Sequence, residues 1–174
     1  MNIKNKKWII VFSLIFLLTG KGFSQTIDLK NAQIVSFEKN DKHILKAISV
    51  LQEEVKKRSE IQLPVNKKWP KQSANIIAVG VEGQLSKFPE ELQKTIAEMP
   101  STEAEGYKIT VIEPSKTVLI VGKDARGVLY GIGKLLRKME IRPGQILVPS
   151  DLKIASSPAY PIRGHQLGYR PKTN

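Results

Sequence analysis

Within "NDKHILKAISVLQEEVKKRSEI", Ile44, Leu45, Ile48, Leu51 and Val55 recur at intervals of three and four. That spacing lays apolar side chains along one face of a helix. Asp41 stands where a helix N-cap is needed, and Lys56 to Arg58 sit where the negative end of the helix dipole favours cations. The segment before it, "AQIVSF" (Ala32 to Phe37), has a β-branched centre and predicts a strand. After the helix, "LPVNKKWPKQ" is bracketed by Pro64 and Pro70 and reads as a loop. "ANIIAVGV" (Ala74 to Val81) is apolar throughout and too short for a helix, so it predicts a central strand covered on both faces.

A shorter helix is expected over Pro89 to Met99. The period then drops to two in "EGYKITVIEPSKTVLIVG": Tyr107, Ile109 and Val111 share one face, with Lys108 and Thr110 on the other. Pro114, Ser115 and Lys116 turn the chain, and Thr117 to Val121 return as the partner of a hairpin. "DARGVLYGIGKLLRKME" restores the helical period. Val128, Leu129, Ile132, Leu135, Leu136 and Met139 form its stripe, Asp124 caps its start, and Arg137 and Lys138 lie at its end. "QILVPSDLKI" predicts a last short strand, and "ASSPAYP" an extended linker. Strand, helix, strand, helix, hairpin, helix, strand is the order of an α/β fold with a mixed sheet and helices packed on it.

The first residues carry an address. Lys4, Lys6 and Lys7 precede the uncharged run "WIIVFSLIFLL" (Trp8 to Leu18), and Gly22 and Ser24 occupy small-residue positions before a cleavage point. As a helix that run would reach about 16 Å, against about 30 Å of hydrocarbon. A signal peptide over residues 1–24 is therefore expected rather than a membrane anchor, with cleavage after Ser24 and no membrane partner afterwards. The sequence has no cysteine, hence no disulfide framework, and a bacterial periplasm or the exterior is the expected location.

Cleavage leaves 150 residues, one ordinary domain, and removes Lys4, Lys6, Lys7 and Lys21, so the formal charge falls from +12 to +8. A polyanion partner fits that balance. Against nucleic acid stand the secretory address and the lysines in "EEVKKRSE" and "NKKWPKQ", which mix signs or sit in loops without aromatic interleaving.

Glycines are dense around the third helix, at Gly122, Gly127, Gly131 and Gly133. "GKDARG" lacks the Gly-Lys-Ser/Thr ending of a phosphate loop, and the dinucleotide spacing is absent. Gly127 and Gly131, four apart on one helix face, instead predict a close approach to the sheet. With only His43 and His165, no cysteine and no H-x-x-H, no metal site or cofactor is expected, and His43 reads as a solvated helix residue. No G-x-S-x-G occurs. The adjacent carboxylates Glu53-Glu54 and Glu90-Glu91 point about 100° apart on helices and cannot flank a bond, so no catalytic residue is assigned in this chain.

The remaining chemistry lies in "YPIRGHQLGYRPKTN". Arg163 offers a planar fork of five donors suited to sugar hydroxyls or a carboxylate. In an extended strand Arg163 and His165 face the same side. On composition alone, a sugar contact and an interdomain salt bridge or disordered end stand level.

"EGYKITV", then "VLIVGKDARGVLYGIGKLL", and finally "SSPAYPIRGHQLGY" together resemble the amino-terminal α/β domain of family 20 glycoside hydrolases, the β-N-acetylhexosaminidases, running into the first strand of their barrel. The family's "EGY" strand corresponds to Glu105–Tyr107, its "A-x-G-x-x-Y-G" helix to Ala125–Gly131, and its "P-x-x-x-R-G" lead to Pro158 or Pro161 through Gly164. A similar domain precedes the barrels of α-glucuronidases. The resemblance spans about Gln25 to Tyr169 and is specific from Glu105 onward. It implies a non-catalytic domain over 25–157, with 158–174 forming the linker and first strand of a (β/α)8 barrel that continues past Asn174. It also implies that Arg163 binds hydroxyls of the terminal sugar. The family's usual Leu-Asp is replaced here by Leu167-Gly168, which makes His165 and Arg170 candidate contacts to a different sugar, an acidic one among the options. The expected partners are a glycan substrate and the catalytic barrel. Two other readings stand beside this one: a stand-alone periplasmic carbohydrate-binding or protein-interaction module, and an envelope polyanion binder.

Overall fold

Six strands share one mixed sheet in the computed structural model, which describes residues 25–71, 74–160 and 162. In chain order the elements are β1 (Thr26–Asp28), β2 (Gln33–Val35), α1 (Lys42–Ser59), β3 (Val65–Asn66), β4 (Ile76–Val81), a 3-10 helix (Glu82–Lys87) and α2 (Glu90–Ala97). They continue as β5 (Tyr107–Ile112), β6 (Thr117–Gly122), α3 (Ala125–Lys138), β7 (Glu140–Arg142), β8 (Gln145–Pro149) and β9 (Lys153–Ser156). The large sheet runs β3-β2-β4-β6-β5-β9, parallel from β3 to β6 and antiparallel through β5 and β9. A smaller antiparallel sheet, β1-β8-β7, lies beside it.

The two faces of the large sheet bury different sets of residues. On one, Ile34, Ile77, Val79, Val118 and Ile120 pack against Ile44, Leu51 and Val55 of α1 and Val128, Ile132 and Leu135 of α3. Ile146 and Val148 of β8 close the same core. On the other, Val35, Ala78, Leu119 and Val121 meet Phe88 and the Leu92–Ile96 face of α2. The central strand predicted from "ANIIAVGV" is therefore buried on both sides, between β2 and β6. Side chains of this type contribute about 1.5–3 kcal/mol each on full burial, so this two-sided core holds the domain.

The helix boundaries follow their caps. The Asp41 side chain accepts the His43 and Ile44 backbone N–H groups at the start of α1. Asp124 does the same for Gly127 in α3. At the end of α2 the device is different. Lys108 of β5, buried beneath that helix, donates its Nζ to the Ile96 and Met99 carbonyls at 3.2 and 3.4 Å. A cation there satisfies terminal carbonyls and meets the negative end of the dipole. The polar face read for Lys108 and Thr110 is thus an interior face, because α2 covers it.

The helix α3 sits unusually close to the hairpin. A Cβ on Gly127 would stand 2.1 Å from the Gly106 carbonyl oxygen, and one on Gly131 2.8 Å from an Ile120 methyl and 3.3 Å from the Tyr107 Cβ. The predicted close approach is present. Several features escaped the pattern, among them β1, β7 and the 3-10 helix, which no segment of the sequence reading predicted. β3 is a two-residue edge strand inside the stretch read as loop, and "QILVPSDLKI" divides between β8 and β9, which belong to different sheets.

Gly127→Ala is expected to cost about 3 kcal/mol or more and Gly131→Ala about 1–3 kcal/mol, as overpacking against atoms that cannot retreat. Gly133→Ala, whose nearest neighbour would be Arg137 Nη1 at 3.6 Å, should instead stabilise by about 0.5–1 kcal/mol through helix propensity. Urea denaturation of the three variants checks the opposite signs.

At the end of β2, the Glu38 carboxylate accepts the Asp41 and Asn40 backbone N–H groups, the Gln84 side chain and the Lys39 N–H. The Asp41 and Asn40 bonds dominate and lower its pKa from the usual 4.5 to about 2, against the opposing effect of burial. A depressed carboxyl pKa adds stability that is complete above the unfolded value and lost as pH falls toward the folded one. The difference in melting temperature between wild type and Glu38→Gln should therefore be full at neutral pH and shrink steadily between pH 4.5 and about 2. A difference that stays constant through that window would show that the charge contributes nothing.

Candidate functional site

Between α1 and α3 lies a groove of about 690 Å³. Ala47 and Lys46 of α1 form one wall, Leu129 and Tyr130 of α3 the other, and Glu105 and Arg126 close one end. Part of the apolar stripe of α3 turns away from the sheet and lines the groove. Val128, Ile132, Leu135 and Met139 go inward, leaving Leu129 45% and Tyr130 39% exposed. Leu45 of α1 is likewise 38% exposed. A stripe that includes both Val128 and Leu129 is broader than one packing surface needs.

The electrostatics at the end of the groove are set by one knot of residues. Glu105 takes a left-handed backbone conformation, φ 61°, just before β5. Its N–H donates to Asp124 Oδ2 at 2.8 Å, while Asp124 Oδ1 receives the Gly127 N–H at 2.9 Å. The Glu105 carboxylate pairs with Arg126 Nη1 at 2.6 Å. One aspartate therefore caps the helix and pins the turn before the strand. Both carboxylates of the groove are engaged in holding backbone or countering a cation.

Two smaller hollows adjoin Glu105. Pro158 and Tyr160 line one; Tyr130, Arg137 and Ser156 line the other. Tyr160 is 72% and Ile162 91% exposed. His43, read as a solvated residue, is exposed on α1 and contributes to the groove rim. Arg163, His165 and Arg170 lie outside the described residues, as does the span read as a signal peptide. Among the described residues no group of three or more His, Cys, Asp or Glu side chains is placed to hold a metal, and no helix is long and apolar enough to cross a membrane.

The motifs that carried the family resemblance meet in space. Glu105 faces Arg126, Gly106 faces Gly127, and Tyr107 faces Gly131. Comparison with solved structures agrees. CpGH84B superposes with a TM-score of 0.56 at 17% identity over 80% of this chain and 21% of that one. The family GH115 4-O-methyl-α-glucuronidase BtGH115A, described with specificity for decorated arabinogalactans, gives 0.57 at 13% identity over 77% and 18%. The GH20 β-N-acetylhexosaminidase of Streptomyces coelicolor A3(2) gives 0.52 at 17% over 78% and 24%. At these identities the likeness is one of fold, and the chain spans 18 to 24% of the length of these three proteins. No curated protein matches the sequence. The profile described as glycosyl hydrolase family 67 N-terminus matches residues 20–135, most of the chain, and the protein belongs to that family of N-terminal glycoside hydrolase domains.

Proposed function

We propose that this domain is the non-catalytic N-terminal part of a secreted carbohydrate-active hydrolase, and that it supports a (β/α)8 catalytic barrel. The observation that carries the reading is the groove. Its carboxylates, Glu105 and Asp124, are engaged in the contact between α3 and the hairpin, while Leu129 and Tyr130 stay partly exposed in the groove and Tyr160 is exposed in a hollow that adjoins Glu105. Exposed apolar surface rimmed by polar groups is the usual mark of a partner surface. The partner that fits is the barrel of the same polypeptide, since Tyr160 is only three residues from Arg163. Arg163 then supplies a planar fork to sugar hydroxyls in the barrel, with His165 and Arg170 as further contacts. Secretion through residues 1–24 puts the enzyme in the periplasm or outside the cell, where polysaccharide is available.

The 174-residue chain is expected to give no turnover of aryl glycosides, whereas a protein carrying the downstream barrel hydrolyses them. In that longer enzyme Arg163→Ala should lower kcat/KM by about tenfold to a hundredfold, the range of one charge-assisted hydrogen-bonding group. Turnover by the short chain would refute the non-catalytic assignment, and an unchanged kcat/KM would remove Arg163 from the sugar site.

A further inference from the structure

A further hollow, about 460 Å³, lies at the edge of the large sheet, beside β3. Its lining is Gln33, Asn66, Lys67, Lys68, Trp69 and Pro70. Volumes of this order suit small ligands. Gln33, two residues before Val35, shares its face and so projects toward the α2 side of the sheet, and the Asn66 side-chain amide donates to the Gln33 side-chain oxygen there. That bond leaves the pair with an amide donor on one residue and a carbonyl acceptor on the other. Trp69 is fixed from behind. Its ring meets Phe88 edge to face at 6.4 Å between centroids, and Phe88 meets Phe37 in the same way at 5.0 Å. Phe88 is buried, so the tryptophan is anchored on one side and open to the hollow on the other.

The charged residues that line this hollow, Lys67 and Lys68, are both basic. From Ile61 to Val81 the sequence holds Lys67, Lys68 and Lys71 and no carboxylate. Lysines on an edge strand also discourage pairing with other chains. That role needs neither a rigid tryptophan nor a paired amide floor, and a two-residue strand preceded by Pro64 offers little edge to protect.

We propose that this hollow is an accessory binding site for an acidic sugar unit of a polysaccharide. The negative face of the Trp69 ring receives the polarised C–H groups of a pyranose. The Gln33–Asn66 pair exchanges hydrogen bonds with its hydroxyls. Lys67 and Lys68 meet its carboxylate. A phosphate polymer would use the lysines alone and leave the tryptophan and the amides idle. The proposal extends the carbohydrate-active reading above but uses no residue of the groove or of the sugar site assigned to Arg163.

Titration of the whole chain with polygalacturonate, its methyl ester and inorganic polyphosphate tests it. Binding to polygalacturonate is expected, weaker by about tenfold or more for the methyl ester and for Lys67→Glu/Lys68→Glu, each of which removes a charge-assisted contact. Asn66→Asp, nearly isosteric, should weaken polygalacturonate binding by repelling the carboxylate. Trp69→Ala, with a melting curve to establish folding, should weaken polygalacturonate but not polyphosphate. No binding to polygalacturonate, equal binding to its ester, or folded variants indistinguishable from wild type would overturn the proposal. So would a polyphosphate affinity that matches polygalacturonate and is indifferent to Trp69. In the longer enzyme the same substitutions should leave hydrolysis of a small aryl glycoside unchanged, which separates failure here from failure of the catalytic reading.

Discussion

The contact between α3 and the start of the β5–β6 hairpin sets the geometry of everything around it. Gly127 brings the helix backbone against the Gly106 carbonyl, and Gly131 lets Ile120 and Tyr107 press on the helix one turn later. Asp124 ties the two partners together by accepting N–H groups from both, and Glu105 and Arg126 add an ion pair at the rim. Close approach of backbones leaves no room for adjustment, because interiors are packed as densely as crystals. The direction in which Leu129 and Tyr130 project, and hence the shape of the groove, follows from that fixed seat.

The same contact separates structural chemistry from binding chemistry. Each acidic side chain beside the open groove has a defined partner. Asp124 spends its oxygens on two backbone donors, and Glu105 faces an arginine in a backbone conformation that costs energy for any residue with a side chain. What the groove presents outward is apolar surface. At the far edge the balance reverses: the aromatic ladder of Phe37, Phe88 and Trp69 is structural at its base, and its open end faces amides and lysines. The first surface lies between α1 and α3, and the second beside the edge strand β3.

Layered packing also explains the polar residues that the core accepts. Thr110 and Thr117 are buried in the hairpin, and Lys108 reaches beneath α2 to its last carbonyls. A lysine in a strand interior ordinarily marks a solvated face. Here its ammonium replaces water as the donor that the helix end requires, and its stem fills apolar space.

The chain's own pattern determined the helices, the central strand and the hairpin, because each depends on local periodicity and capping: Asp41 with the Ile44–Val55 stripe, the unbroken run of β4, the turn after Ile112. The close seat of α3 was also legible, since two glycines four apart have few other uses on an apolar helix face. Tertiary structure alone decided the rest. β3 takes its hydrogen bonds from β2, and β8 and β9 part company because β1 and β7 claim one while β5 claims the other. No local signal encodes a partner distant in sequence. The groove and the Trp69 hollow share that origin: their residues are ordinary in sequence and become surfaces only where packing leaves one side of them uncovered.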